Sequence, residues 1–474
     1  MSIVKANLTV LKPHQIQQIH EMAVTILEKT GIRVDDETAR NRFKDKIGQM
    51  AGKDRVCIPR EIIEWAIKAA PASIDILNRE GQPAFTLDSQ QENKAIFGIG
   101  VTNLQYQDPM TDEAVTFGRK HMVNATRLGD ALDEFDTIAT PGVIQDLAAQ
   151  EAEYVGFLEM LANTKKPLTM LVSEPATFKQ CLSMCDELHG ETATRTSIIP
   201  YFNPITPLIL NEETCAKMEI SVARGMPFIF SNYGMSGATC PITSGGTLAL
   251  LLAELLAGLV YSQLIQEGTP IILGSLPAAF DMKKMQSYYT PQSMLINLAC
   301  AEMMEYYTIP HCGTSGGWMG WGPDLMAGTM LWQNHLTSVM GSSGLSPFVG
   351  NNFDSLAFSP TTVVYAAEVI RMSREYTRGF SLDKDEVGLD EIINLGPGAS
   401  YLTAGLTLKK FREPQVTSKI WPFISLDAWK EQKCPRAGDH LRQYTKEFME
   451  GIPCPKNYDD ILGKGTEFIN RQLA

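Results

Sequence analysis

The sequence predicts an α/β protein: a (β/α)8 barrel with a helical N-terminal cap and a C-terminal extension. Three observations carry this. Short apolar runs alternate with stretches of helical period eight times between residues 96 and 380. The eight units occupy about 280 residues, near the ~250 that such a barrel usually takes. The competing doubly wound sheet should open with a three-glycine turn, and Gly98-Ile99-Gly100-Val101-Thr102-Asn103 lacks the third glycine.

Each element has its own warrant. In residues 8–35, Leu11, Ile16, Ile19, Met22, Ile26 and Leu27 recur at helical spacing, and Gly31 supplies the stop. Asp35 and Asp36 open a second helix, and Val56 to Pro59 reads as a strand entering a third at Arg60. Ser73–Leu77 and Pro83–Leu87 read as a small sheet, so residues 1–95 form the cap. The barrel strands are expected at Ile96–Val101, Phe135–Thr140, Leu168–Val172, Ile198–Phe202, Pro227–Ser231, Pro270–Gly274, Ile309–Gly313 and Ser346–Val349. The helices are expected at Arg119–Leu128, Leu147–Ala162, Ala176–Leu188, Glu212–Arg224, Thr247–Gln266, Gln292–Tyr307, Leu325–Met340 and Thr361–Thr377. Residues 96–380 are thus the barrel. Residues 381–474 are an extension that closes one face or builds a contact between copies.

Composition narrows the function. A chain of 474 residues is too long for one small core. Apolar content of 44% with 20% charged residues is that of a globular enzyme. A net charge of −13 speaks against nucleic acid or an anionic membrane as partner. Leu248 to Val260, the longest apolar stretch, contains Glu254 and is too short to span a bilayer, so a buried helix is expected. Nine scattered cysteines without a Cys-x-x-Cys pair read as reduced thiols of a cytoplasmic protein.

Barrel chemistry sits at the carboxyl ends of the strands. Those ends hold Thr102, Asn103, Thr140, Ser173, Glu174, Asn203, Asn232, Tyr233, Ser275, His311, Cys312, Asn351, Asn352 and Phe353. No metal-ligand spacing, phosphate loop or Gly-x-Ser-x-Gly occurs, so no intrinsic metal and no acid–base residue is assigned. His311 and Cys312 are strand neighbours and face opposite ways. The loop after them carries five glycines and the pair Trp318 and Trp321. Aromatic, amide and hydroxyl groups of this kind suit a ligand with a diffuse positive charge, worth ~0.5–2 kcal/mol per ring when desolvated. Packing is the alternative for each ring, and internal hydrogen bonding for each amide.

A resemblance narrows this further. Gly237-Ala238-Thr239-Cys240-Pro241-Ile242-Thr243, then Ala253 to Val260, resemble the trimethylamine methyltransferase (MttB-like) family. So do Gly274-Ser275-Leu276-Pro277 with Asp281-Met282, Tyr306-Tyr307 with Ile309-Pro310, Ile19-His20-Glu21 to Val34, and Gly396-Pro397-Gly398 with Thr407-Leu408. The likeness spans about residues 8–425. It implies a barrel that moves a methyl group from an amine to the cobalt of a separate corrinoid protein. The chain contains only standard residues, so it resembles the branch lacking pyrrolysine, which demethylates quaternary amines. At residues 318–324 it departs from the more polar run of many relatives, and substrate choice is expected to differ there.

The branch agrees with the chemistry. A quaternary ammonium loses a methyl group and leaves as a neutral amine, so no general acid is required. Positioning is the task. The expected donor is glycine betaine, with proline betaine and carnitine as alternatives, held by Trp318, Trp321, Tyr233, Phe353, His311, Asn203 and Asn352. Cobalamin on a cognate corrinoid protein is the acceptor, docked on the strand C-terminal face, and the enzyme is a homo-oligomer. Two other readings are weighed: the same fold with Cys312 or His311 in a chemical role, and a non-catalytic betaine-binding protein.

Overall fold

The computed structural model describes residues 3–48, 50–90, 95–315, 319–341, 343–413 and 417–473. Seven regular barrel strands are β1 (Ile96–Ile99), β2 (Thr137–Ala139), β3 (Leu168–Met170), β4 (Ile198–Phe202), β5 (Phe228–Ser236), β6 (Ile271–Asp281) and β8 (Leu345–Val349). The remaining position, β7, is no more than the bridge residues His311 and Cys312. Pairing is parallel around the ring and closes: Leu273 pairs with His311, Cys312 with Leu345, and Leu345 with Ile96. β7 is short because Pro310 precedes it and Gly313 ends it. At Gly274 on β6 a Cβ would stand 1.3 Å from the Cys312 carbonyl oxygen, so this contact requires glycine.

The alternating helices are α1 (Arg119–Ala131), α2 (Ala149–Asn163), α3 (Pro175–His189), α4 (Glu212–Ala223), α5 (Ser244–Ile265), α6 (Pro291–Tyr307), α7 (Leu325–Met340) and α8 (Pro360–Arg378). Pro opens α3, α6 and α8, where its missing N–H costs nothing. Thr290, Asp324 and Ser359 cap the first turns of α6, α7 and α8.

Strand and helix positions follow the hydrophobic pattern, with two extensions. β5 and β6 run past Ser231 and Gly274, where the apolar runs stop, as far as Ser236 and Asp281. They continue because nine residue pairs link them and Gln286–Tyr288 returns antiparallel on β6. Together they form a raised wall on one side of the mouth.

The barrel interior packs Ile96, Ala139, Ile199, Tyr201, Ile229, Ile272, Cys312, Leu345 and Phe348. Ile74, Ile76, Phe85 and Leu87 join them from a hairpin of Ser73–Leu77 with Pro83–Asp88. The hairpin lies against Ile96, Pro310 and Gly344, at the strands' amino ends. It therefore plugs the bottom of the barrel, and the mouth opens at the carboxyl ends.

The helices Pro13–Lys29, Glu37–Ile47 and Arg60–Ala69 pack outside the ring against α5. This explains why α5 is apolar on every side. At 22 residues it is long and apolar enough to cross a bilayer, contrary to the length argued from Leu248 to Val260. Burial, not length, identifies it as a core helix: 83% of its most apolar window lies inside the protein. Its Glu254 is 2% exposed. The carboxylate accepts the Leu208 N–H, the Thr206 hydroxyl and the Asn232 amide, while burial pushes its pKa up to about 7.

After α8, Ala437–Glu450 packs on α8, and Tyr458–Leu473 on α2 and α3. Between α8 and Ala437, the described residues form the short helices Lys384–Val387, Leu389–Leu395, Gly405–Lys410 and Leu426–Glu431. None has a buried residue.

Candidate active site

The mouth is divided into two hollows. A pocket of about 230 Å³ on the β5–β8 side is lined by Val101, Thr102, Tyr233, Leu276, Tyr289, Thr314, Phe348, Asp354 and Ser355. A larger cleft of about 540 Å³ opens on the β2–β4 side, among Thr140, Leu171, Ser173, Asn203 and residues of α1, α2 and α4. Thr102 borders both. The Tyr201 ring, in the cleft wall, meets the pocket's Phe348 edge to face at 5.0 Å and 76°.

Strained backbone frames the small pocket. Gly100, Val101 and Thr102 have φ of 123°, 153° and 36°, and Phe353, Asp354 and Ser355 have 53°, 57° and 66°. A β-branched residue at positive φ, and three non-glycine residues in a left-handed turn, cost energy that neighbouring contacts must offset. The offset is a lattice of side-chain amides. Asn103 donates to Asn351 Oδ1 at 2.7 Å, and Asn351 donates to the Gly100 carbonyl at 2.9 Å. Asn352 donates to Gln107 Oε1 at 2.7 Å. The loops after β1 and β8 are thereby locked together, and the left-handed turn is held against the mouth.

Asp354 is the one carboxyl among the described residues that line the pocket. Its Oδ2 accepts the Ser287 hydroxyl at 3.0 Å, and its Oδ1 is buried without a hydrogen-bond partner. Burial raises its pKa, against the Ser287 bond, which lowers it. Burial likewise raises the Tyr233 phenol, with the Asp354 charge adding to the rise and Ser287 opposing it. Tyr289 is raised by burial, then by Tyr233 and Asp354. The result is a small hollow with aromatic walls and a carboxyl at its edge.

Of the residues expected from sequence, Tyr233 lines this pocket. Phe353 belongs to the left-handed turn beside Asp354. Trp321 stands on the rim, 66% exposed, its carbonyl accepting the Gln107 amide. Trp318 lies outside the described residues. Asn203 lines the larger cleft and donates to the Ser231 carbonyl at 2.8 Å.

Two expected donors are not available where they were wanted. The Asn352 amide is spent on Gln107, and its Oδ1 accepts the Thr362 hydroxyl at 3.1 Å. His311 is buried, and its Nδ1 faces the Ser343 carbonyl. Its ring points outward, because the inward position of β7 belongs to Cys312 in the barrel core. Burial lowers the His311 pKa to about 4 and pushes the Cys312 thiol up, so neither is activated.

Sequence reasoning stopped one residue short of Asp354, having listed Asn351, Asn352 and Phe353. It missed Tyr289 because β6 was ended at Gly274, before the returning hairpin that carries it. The pair Tyr288-Tyr289 just before the cap Thr290-Pro291 was the available signal.

An eight-stranded parallel barrel with its pocket at the strand carboxyl ends is the arrangement of a barrel enzyme. The profile of the trimethylamine methyltransferase (MTTB) family matches residues 2–474, so the chain belongs to that family and is a methyltransferase. Trimethylamine methyltransferase MttB of Desulfitobacterium hafniense is 26% identical over 413 residues, 86% of this chain and 82% of that one. Glycine betaine methyltransferase of the same species is 27% identical over 452 residues, 90% and 89%. The crystal structure of Methanosarcina barkeri monomethylamine methyltransferase (MtmB) superposes with a TM-score of 0.50 at 10% identity. The match covers 95% of this chain and 96% of that one, and it shows the shared fold.

Proposed function

We propose that the enzyme moves a methyl group from a methylated ammonium in the Asp354 pocket to the cobalt of a corrinoid carried by a separate protein. The observation that carries this reading is the pairing of a carboxyl with aromatic walls, a cradle for a cation that offers few hydrogen bonds. Tyr233, Tyr289 and Phe348 hold and orient the ammonium, and the packed walls exclude water. When a quaternary donor reacts, the C–N bond breaks with both electrons on nitrogen, so the amine leaves neutral and no proton is needed. The corrinoid, arriving as second substrate, supplies the nucleophile.

The rim suits a docked protein. Val143, Ile205, Ile242, Met285 and Trp321, from the loops after β2, β4, β5, β6 and β7, and Leu325 at the start of α7 are all exposed. An apolar collar around a catalytic mouth is an interaction surface. In this reading residues 1–95 form the cap, 96–380 the catalytic barrel and 381–474 an extension joining copies, in a cytoplasmic enzyme whose thiols stay reduced.

Glycine betaine, the first choice from sequence, is supported by the 27% identical relative of that activity. The pocket matches its ammonium end; its carboxylate meets no cationic side chain among the described lining residues. Anaerobic transfer to free cob(I)alamin, followed by absorbance, tests the reading with glycine betaine, proline betaine, carnitine, tetramethylammonium and trimethylamine. Methylcobalamin from at least one supports it; none from any donor overturns it.

A further inference from the structure

The charges lining the two hollows are predominantly acidic. The small pocket contains Asp354 and, among the described residues that line it, no cation. The neighbouring cleft adds Glu153, Glu174 and Glu213 against a single lysine. That lysine, Lys217, is engaged within the protein, donating to the carbonyls of Val172 and Ser173 at 3.1 and 2.9 Å. A ligand therefore approaches through negative potential and ends beside an incompletely bonded carboxylate.

In a betaine such as glycine betaine the carboxylate is one carbon from the ammonium. No orientation in a hollow of about 230 Å³ puts the ammonium against Asp354 and removes the carboxylate from its field. Five hydroxyls line the pocket, but two belong to Tyr233 and Tyr289, which already share the field of Asp354. A donor of net positive charge has no such conflict.

Granting the methyl-transfer reading on which this rests, we infer that Asp354 is a specificity-determining residue. It makes the site selective for methylated ammonium ions without a carboxylate, over zwitterionic betaines. The carboxylate holds the cationic donor and loses its hold on the neutral product amine, which favours release. Because the positive charge disappears during transfer, Asp354 acts on donor binding more than on the chemical step.

Calorimetric titration of the full chain with tetramethylammonium chloride and with glycine betaine reads the preference directly. Transfer from each to cob(I)alamin is measured alongside. The expected result is binding of tetramethylammonium at least about tenfold tighter than betaine. Asp354→Asn, its fold checked by circular dichroism, removes most of that margin by weakening the cation, with KM rising and kcat not falling. Ser287→Ala keeps the charge and keeps the preference. Equal or tighter binding of betaine, binding of neither, or an unchanged ratio in Asp354→Asn overturns the inference. Preferential binding of the cation without transfer from any donor supports the selectivity and removes the methyl-transfer reading instead.

Discussion

Asn352 gives its amide to Gln107 Oε1 at 2.7 Å and accepts the Thr362 hydroxyl at 3.1 Å, so both ends of its side chain are spent inside the protein. It holds the left-handed turn that starts at the next residue. Asn352→Ala leaves the Gln107 oxygen and the Thr362 hydroxyl unpaired, at a cost of about 1–3 kcal/mol. The expected outcome is a lower midpoint in urea unfolding together with weaker donor binding. A ligand to substrate would instead raise KM with the unfolding midpoint unchanged.

Tyr233 reaches the pocket as a ring beside a carboxylate, and the two features separate by substitution. Tyr233→Phe keeps the aromatic face and is expected to leave KM for a quaternary donor within about twofold. Tyr233→Ala removes the face and is expected to raise KM about tenfold. Steady-state transfer at saturating cob(I)alamin distinguishes them, and equal losses in both variants would assign the phenol rather than the ring.

Protonation of Asp354 supplies a pH test. Burial raises its pKa, and only the ionised form attracts a cation. kcat/KM for a cationic donor should therefore hold at higher pH and fall as pH drops through a midpoint above the ordinary aspartate range. The facing phenols, Tyr233 and Tyr289, are themselves raised and titrate far above that window. Asp354→Asn is expected to give a flat profile there.

Glu254 gives a stability test with the sign reversed from that of a salt-bridged carboxylate. Its pKa is raised from 4.5 in the reference state to about 7 in the fold. The folded state binds the proton more tightly, so this contribution is complete below about pH 4.5 and is lost as pH rises through about 7. Unfolding free energies measured across that window should fall in the native protein by up to about 3 kcal/mol relative to Glu254→Gln, which has no proton to lose.

The ring of strands and helices was legible because each barrel strand is an apolar run and each helix has an apolar face, both local patterns. Leu325–Met340 and Ile198–Phe202 coincide with their expected ends. The site was less legible, because it depends on distant pairings. Nothing local in Asn352 distinguishes an amide bonded to Gln107 from one open to substrate. Nor does the alternation that turns Cys312 inward reveal that His311 meets the Ser343 carbonyl. Asp354 sits in a loop without periodicity, and its importance arises only when the wall of β5 and β6 brings Tyr233 and Ser287 beside it. Tertiary contact created that signal.

The Tyr201–Phe348 contact offers the last test, because it separates the two hollows. Tyr201 is 5% exposed, and its ring lies against Phe348 at 5.0 Å. Truncation to alanine removes the partition and joins a space of about 230 Å³ to one of about 540 Å³. Loss of a buried ring costs about 3–5 kcal/mol in stability, so Tyr201→Leu, which fills part of the volume, is the companion variant. Both are expected to accept longer donors: carnitine should gain in kcat/KM relative to tetramethylammonium, more in alanine than in leucine. Tetramethylammonium itself should lose, because a widened pocket aligns its methyl group less well. If the ratio of the two donors is the same in all three proteins, Tyr201 does not divide the mouth, and donor size is set elsewhere on the rim.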